Sequence, residues 1–175
     1  MPGAGKSTQG NKLSKKLAVP YLSTGHIFRD LAKEHTKLGR RIKLVMNAGL
    51  LISDSKTLEI VSNYLKRLEY QNGYILDGFP RTLGQAQKFK NGVDRVIYLK
   101  VSDKEILWRL AYRDDGGRED DTLLAIRKRI EVFHKFTDLV IEYYRRKGQL
   151  LEINGEREID EIQRDILKHL NVHAK

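Results

Sequence analysis

The chain has 175 residues, 40% hydrophobic and 32% charged, a balance that fits one globular domain and excludes an intrinsically disordered chain. It contains no cysteine, so disulfides and cysteine-ligated metals are excluded, and no apolar run approaches membrane-spanning length. A formal net charge of +10 calls for a polyanionic partner or a diffuse basic surface, and nucleotides and nucleic acids both qualify.

Met1 to Gln9 reads M-P-G-A-G-K-S-T-Q, the end of a phosphate-binding loop running into a helix. Pro2, Gly3, Ala4 and Gly5 supply small residues and permissive dihedrals, so successive N–H groups can turn inward around phosphate oxygens. Lys6 adds a point charge, and Ser7 or Thr8 a hydroxyl near Mg²⁺. In the pattern G-x-x-x-x-G-K-S/T the first glycine falls one position before Met1, so a glycine and an apolar strand are expected upstream. Protein made strictly from Met1 is expected to be unstable and poorly active.

A first amphipathic helix follows, with Leu13, Leu17 and Ala18 interleaved with lysines, and stops before Pro20. Tyr21-Leu22 is too short to assign alone. A helix from about His26 carries Ile27, Phe28 and Leu31 on one side and is broken by Gly39. A short helix through Ile42, Leu44, Val45 and Met46 ends at Asn47-Ala48-Gly49. Ser53 or Asp54 caps a longer helix with an apolar stripe of Leu58, Val61, Leu65 and Leu68.

Tyr74-Ile75-Leu76 reads as a buried parallel strand delivering Asp77-Gly78-Phe79-Pro80-Arg81 at its carboxyl end. A helix with Gln85, Ala86 and Phe89 follows, then a strand at Val96 to Leu99. Ser102-Asp103-Lys104-Glu105 forms a capping box for a helix that sets Ile106, Leu107, Leu110 and Ala111 on one face and Arg109 and Arg113 on another; Trp108 is read as packing. Asp114 to Gly117 is a turn, with a helix to Phe133 behind it, and Arg118 and Arg129 lie about three helical turns apart. Phe136 to Lys147 is helical, Leu150 to Ile153 is the last strand, and Asn154-Gly155 turns into a helix from Ile159 to Leu170. The alternation predicts an α/β fold, a parallel sheet covered by helices on both faces. The five histidines have no metal-ligand spacing.

Five segments in order across nearly the whole chain resemble the nucleoside monophosphate kinases, and within them the adenylate kinases: P-G-A-G-K-S-T-Q from Pro2, L-S-T-G-H-I-F-R from Leu22, N-A-G-L-L-I-S-D from Asn47, L-D-G-F-P-R-T-L-G-Q-A from Leu76, and the arginines from Arg109 to Arg129. The resemblance implies a P-loop, three-layer fold and one kinase domain over residues 1–175. Residues 23–63 would form a helical AMP-binding insertion, and residues 113–119 a short lid that closes to expel water. The implied reaction is Mg·ATP plus AMP giving two ADP. Lys6, Arg81, Arg113, Arg118 and Arg129 resemble the catalytic set. The loop from Pro2 to Thr8, with Arg109, Arg113 and Arg157, resembles the ATP site, and the turn from Asn154 to Arg157 the backbone that touches the ATP adenine. Thr24, Arg29, Ile52, Gly78, Arg81, Gln85, Arg118 and Arg129 resemble the AMP site. Asp77 and Ser7 would hold Mg²⁺, partly through water.

His26 stands where the family usually has aspartate, and Ser7 where it usually has glycine. A UMP/CMP kinase is the alternative within the family, and Thr24, Thr82 and Gln85 favour adenine over it. A basic nucleic-acid-binding protein is the alternative of another class, though the cations are spread over many helices without an RNA-binding aromatic signature. An inactive truncated kinase is the third. The expected enzyme is a cytoplasmic monomer with no nucleic-acid or membrane partner.

Overall fold

Two pairs of parallel strands carry the fold in the computed structural model, which describes residues 1–112 and 122–172. Helix α1 (Lys6–Leu17) leads to β1 (Tyr21–Ser23), and helices α2 (Thr24–Lys33), α3 (Lys37–Asn47) and α4 (Asp54–Leu65) cross over to β2 (Ile75–Asp77). β1 and β2 pair in parallel from Tyr21 opposite Ile75 to Ser23 opposite Asp77. Helix α5 (Leu83–Lys88) joins β2 to β3 (Val96–Lys100), and α6 (Asp103–Ala111), α7 (Leu123–Val132) and α8 (Asp138–Arg146) lie between β3 and β4 (Leu150–Asn154). β3 and β4 pair in parallel from Val96 opposite Leu150 to Lys100 opposite Asn154, and α9 (Ile159–His169) closes the described chain. Parallel pairing requires such crossovers, and helices supply them.

The α/β class is as the alternation predicts, but the described strands form two separate two-stranded sheets rather than one. Side chains bridge the two pairs where backbone hydrogen bonds do not. Ile75 of β2 packs on the apolar cluster that holds Leu99 of β3, Ile153 of β4, Ile106 of α6 and Ile166 of α9. A second cluster, centred on Leu22, Ile27, Val61, Leu65 and Phe79, fastens α2 and α4 to the first strand pair.

Several local expectations are corrected. Gly39 does not break a helix. It lies inside α3, where the Thr36 hydroxyl accepts its N–H at 2.9 Å, and a Cβ there would stand 2.4 Å from the Glu34 carbonyl, so glycine serves the close approach of α2 to α3. Leu68 is not on the α4 stripe, because the helix ends at Leu65 and Leu68 opens a 3₁₀ turn, 89% exposed. Phe89 is the residue after α5 rather than part of it. Leu107 and Trp108 are exposed, Trp108 at 59% and tilted against Tyr112, so Trp108 is not a packing residue.

The capping box of α6 is half made. The Ser102 hydroxyl accepts from the Glu105 N–H, but the Ser102 N–H donates to Glu156, 2.7 Å away, while Glu105 pairs with Arg109. A π-helical turn, Phe133–Thr137, joins α7 to α8, which therefore starts two residues later than the sequence pattern suggests.

His134 on that turn stands 3.0 Å from Asp138 through Nδ1 and 3.0 Å from Asp103 through Nε2, tying the first residues of α8 and α6 together. A carboxylate only accepts, so the doubly protonated ring satisfies both partners. The hydrogen bonds to Asp138 and then Asp103 raise the His134 pKa. A raised folded pKa contributes stability that is complete below the unfolded value, about 6.5, and is lost as pH climbs through the folded value. Urea denaturation of His134→Gln is expected to show its largest deficit near pH 6 and a smaller one in mild alkali; an equal deficit at both shows that ionisation contributes nothing. Ile106, fully buried, is expected to cost about 2–5 kcal/mol on Ile106→Ala by the same measurement.

Candidate active site

The phosphate loop begins with two glycines at positive φ, Gly3 at 68° and Gly5 at 83°, dihedrals that residues with a Cβ adopt at a cost. Gly5 is the N-cap of α1, with no side-chain cap and no acidic residue in the first turn, so the leading N–H groups and the positive end of the helix dipole face outward toward an anion. Ala4 is buried, and a Cβ on Gly3 would stand 3.1 Å from Leu110 of α6, so the loop rests on α6. Lys6 Nζ donates to the Met1 carbonyl oxygen and curls the loop on itself. Ser7 is half-buried and Thr8 exposed at the same helix end.

The β2 end positions the next group. The Tyr21 hydroxyl donates to Asp77 Oδ2 at 2.6 Å, and the Thr24 hydroxyl to the Asp77 carbonyl at 3.0 Å. Gly78, at φ 81°, turns the chain so that its carbonyl accepts Arg81 Nε at 2.8 Å. A Cβ on Gly78 would stand 2.6 Å from the Thr24 hydroxyl and 3.1 Å from an Arg81 terminal nitrogen. Two side chains hold the Arg81 backbone, and a cap fixes the helix that follows. Its N–H donates to Gln85 Oε1 at 2.8 Å, its carbonyl accepts from the Thr137 hydroxyl at 3.0 Å, and Thr82 caps α5 through the Gln85 N–H.

Charge gathers around that side chain. Burial pushes the Arg81 guanidinium down from its usual value, Asp77 opposes this, and Arg129 and Arg29 push it down further. Arg29 lies over Gly25, whose Cβ would meet its guanidinium at 3.4 Å, and Arg129 reaches the Met46 carbonyl of α3 at 3.5 Å. Arg29 and Arg129 therefore gather on Arg81, which Asp77 partly offsets, with Lys6 in the loop nearby, an arrangement suited to polyphosphate anions. Arg113 and Arg118 lie outside the described residues.

A third group sits across α1. The Gly155 N–H donates to the Lys100 carbonyl at 2.8 Å, and Asn154 Oδ1 accepts from the Glu156 N–H at 3.0 Å, which fixes the turn after β4. Glu156 is held below the usual carboxylate range by hydrogen bonds from Ser102, with a smaller contribution from Arg109, which places Arg109 beside this turn. Arg157 is engaged by Asp165. Ile52 is half-buried ahead of α4, and its carbonyl accepts from the Thr57 hydroxyl.

The family model for adenylate kinase matches residues 1–149. The adenylate kinase of Caldicellulosiruptor saccharolyticus is 37% identical, the match covering 98% of this chain and 96% of that protein. Adenylate kinase 1 of Nostoc is also 37% identical, over 94% and 92%, and the adenylate kinase of Methanocella arvoryzae 34%, over 94% and 93%. The chain belongs to the adenylate kinase family. It is an ATP:AMP phosphotransferase, and neither the pyrimidine-kinase nor the nucleic-acid alternative is favoured.

For an adenylate kinase, the structure adds positioning contacts that the motifs did not reveal. Tyr21, Asp54, Thr137 and Glu156 hold Asp77, Gln85, Arg81 and the turn after β4 respectively. Asp54 and Glu156 fall in stretches the sequence did mark, but no spacing reveals any of these pairings, because each acts across more than 25 positions of chain; a capping-box reading of Ser102 comes closest, since it raises the question of what satisfies that N–H. Gln85, expected to read a base, has both ends of its amide engaged inside the protein, with Asp54 and the Arg81 N–H. Arg81→Lys keeps the charge but loses the fork and the Nε bond to Gly78. It is expected to lower kcat/KM for AMP by about 10²–10³-fold with an unchanged circular dichroism spectrum; a loss under threefold counts against Arg81 as a phosphate ligand.

Proposed function

We propose that the cleft transfers the terminal phosphoryl group of ATP to AMP by positioning and charge neutralisation, without a covalent intermediate or a strong base. The observation that carries this reading is the convergence of Arg29 and Arg129 on Arg81 beside Asp77, next to the uncapped N-terminus of α1. On the donor side, Pro2 to Thr8 wrap the ATP phosphates, Lys6 exchanges the Met1 carbonyl for a phosphate oxygen, and Arg109 with the turn from Asn154 to Arg157 takes the adenine. On the acceptor side, Arg29 and Arg81 grip the AMP phosphate, and Thr24, Ile52, Gly78 and Gln85 form the base and ribose wall. Arg129, with Arg113 and Arg118, neutralises the group in flight.

We read residues 23–63 as the AMP-binding insertion and residues 113–119, which lie outside the described residues, as a short lid.

Mg²⁺ suits the donor set, since Asp77 and Ser7 offer hard oxygens and the Tyr21 hydroxyl orients the carboxylate. Bound with the nucleotide, Mg²⁺ supplies charge neutralisation at the phosphates. Asp77 and Ser7 would hold it, partly through water. No cluster of three or more acidic or histidine ligands occurs among the described residues, so most ligands would come from phosphates and water. No helix among the described residues is long and apolar enough to cross a membrane. A monomeric cytoplasmic enzyme is the reading we favour.

Coupled assays with ATP and AMP, UMP or CMP test the acceptor. ADP formation with AMP is expected to exceed that with either pyrimidine by about 10²-fold or more, and equal rates with UMP or CMP overturn the assignment to AMP.

A further inference from the structure

The first residue of α4 makes two hydrogen bonds that reach into the acceptor wall. Asp54 Oδ2 accepts from the Thr82 hydroxyl at 2.8 Å, and Oδ1 accepts from Gln85 Nε2 at 2.9 Å. The ring closes on itself: the Thr82 hydroxyl accepts from the Gln85 backbone N–H at 3.1 Å, and Gln85 Oε1 accepts from the Arg81 N–H at 2.8 Å. Gln85 is 2% exposed, so an amide end that faced the wrong partner would be expensive. The backbone admits the carboxylate here because residue 84 is glycine; a Cβ on Gly84 would stand 2.8 Å from Asp54 Oδ2.

This arrangement settles which way the Gln85 amide points. A carboxylate can only accept, so the nitrogen end must face Asp54. A backbone N–H can only donate, so the oxygen end must face Arg81. Both neighbours demand the same orientation. Left over on the amide are one N–H and one oxygen lone pair. An adenine edge presents an amino donor beside a ring-nitrogen acceptor, which such an amide can match. A 6-oxopurine presents a carbonyl acceptor beside an N–H donor, which requires the amide to be reversed.

We propose that Asp54 is a positioning residue that fixes the polarity of the Gln85 amide and so sets the preference for a 6-aminopurine over a 6-oxopurine monophosphate at the acceptor site. This rests on the reading that Gln85 faces the acceptor base. Asp54 itself touches no substrate in this scheme. It acts from the N-terminus of α4, inside the insertion, on a residue of α5, across 31 positions of sequence. Asp54→Asn removes one of the two constraints at nearly constant size and leaves the Arg81 N–H as the other. One oxygen of the carboxylate becomes an amino donor, which must face either the Thr82 hydroxyl, whose proton then lacks its acceptor, or Gln85, which is then free to present oxygen.

The test is steady-state kinetics with AMP and inosine monophosphate as acceptors at saturating ATP, together with the KM for ATP, for Asp54→Asn, Asp54→Ala and Gln85→Leu, with thermal melts alongside. Asp54→Asn is expected to raise the KM for AMP by about tenfold and to narrow the AMP-to-inosine-monophosphate ratio of kcat/KM by a similar factor, leaving the KM for ATP within about twofold. Should Asp54→Ala fail to fold, Asp54→Asn decides. If Gln85→Leu collapses the ratio while both Asp54 variants keep it, the positioning role is overturned and Gln85 stays at the base. If Gln85→Leu also keeps the ratio, the placement of Gln85 at the base falls first and the proposal with it. A parallel loss of AMP and ATP kinetics with an unchanged ratio marks Asp54 as a folding residue and overturns the proposal as well.

Discussion

The turn at the carboxyl end of β2 fixes the geometry of the whole cleft. Asp77 receives the Tyr21 hydroxyl on its carboxylate and the Thr24 hydroxyl on its carbonyl, and Gly78 receives Arg81 Nε one residue later. Tyr21 is itself pinned from behind. A Cβ on Gly10 of α1 would stand 2.5 Å from the Tyr21 ring, so the helix that begins in the phosphate loop packs directly on the residue that orients Asp77. A short strand of three residues thus sets the mutual placement of loop, acid and guanidinium. Parallel strands offer their carboxyl ends for this purpose because their crossovers carry the flanking helices to the same edge.

Bringing Arg29 and Arg129 within range of Arg81 opposes folding, since like charges in a partly desolvated cleft repel and, among the described residues, Asp77 offsets them at Arg81. Backbone contacts hold Arg81 in place against that repulsion: the Gln85 oxygen at its N–H, the Thr137 hydroxyl at its carbonyl and the Gly78 carbonyl at Nε. A bound polyanion reverses the sign of the interaction, so binding free energy and folding free energy are coupled here. The surplus of cations that makes the net charge +10 is therefore partly a property of the site, although surface lysines along α1 and elsewhere contribute to it.

Much of this architecture is legible in the sequence wherever a local rule governs. The loop glycines, the cap supplied by Ser102, the apolar strands at Ile75 and Val96, and the Gly49 stop after α3 all depend on neighbours in sequence. What escaped depends on tertiary contacts. β1 is three residues long and exists because β2 pairs with it. Gly39 reads as a helix breaker until α2 is seen crossing α3. Leu68 has the right spacing but falls past the end of its helix. Trp108 has the size of a core residue but points outward beside Tyr112. The motifs named the side chains that carry charge, and they were silent on those that aim it, because a positioning contact such as Glu156 with Ser102 has no fixed spacing.

In-line transfer needs donor and acceptor phosphates held at a fixed separation, and the fold meets this with two braced halves. On the donor side, α1 is stapled to the start of α9 by Gln9 Nε2 on the Ile159 carbonyl at 2.8 Å and Lys12 on Asp160 at 2.6 Å. Glu156 ties the intervening turn to α6, and Leu110 of α6 supports Gly3. These contacts close a circuit from the phosphate loop to the turn after β4 and back. On the acceptor side, Asp54 fastens α4 to α5, and Thr24 fastens α2 to β2. The contact from Arg129 of α7 to Met46 of α3 is longer, 3.5 Å, at the limit of a hydrogen bond. Within each half the bonds are short and well made; across that cleft the Arg129 contact has room to tighten. On the proposed reading, a phosphate arriving beside Arg81 would draw Arg29 and Arg129 toward it, and the long Arg129 contact is the one that could shorten without breaking a well-made bond.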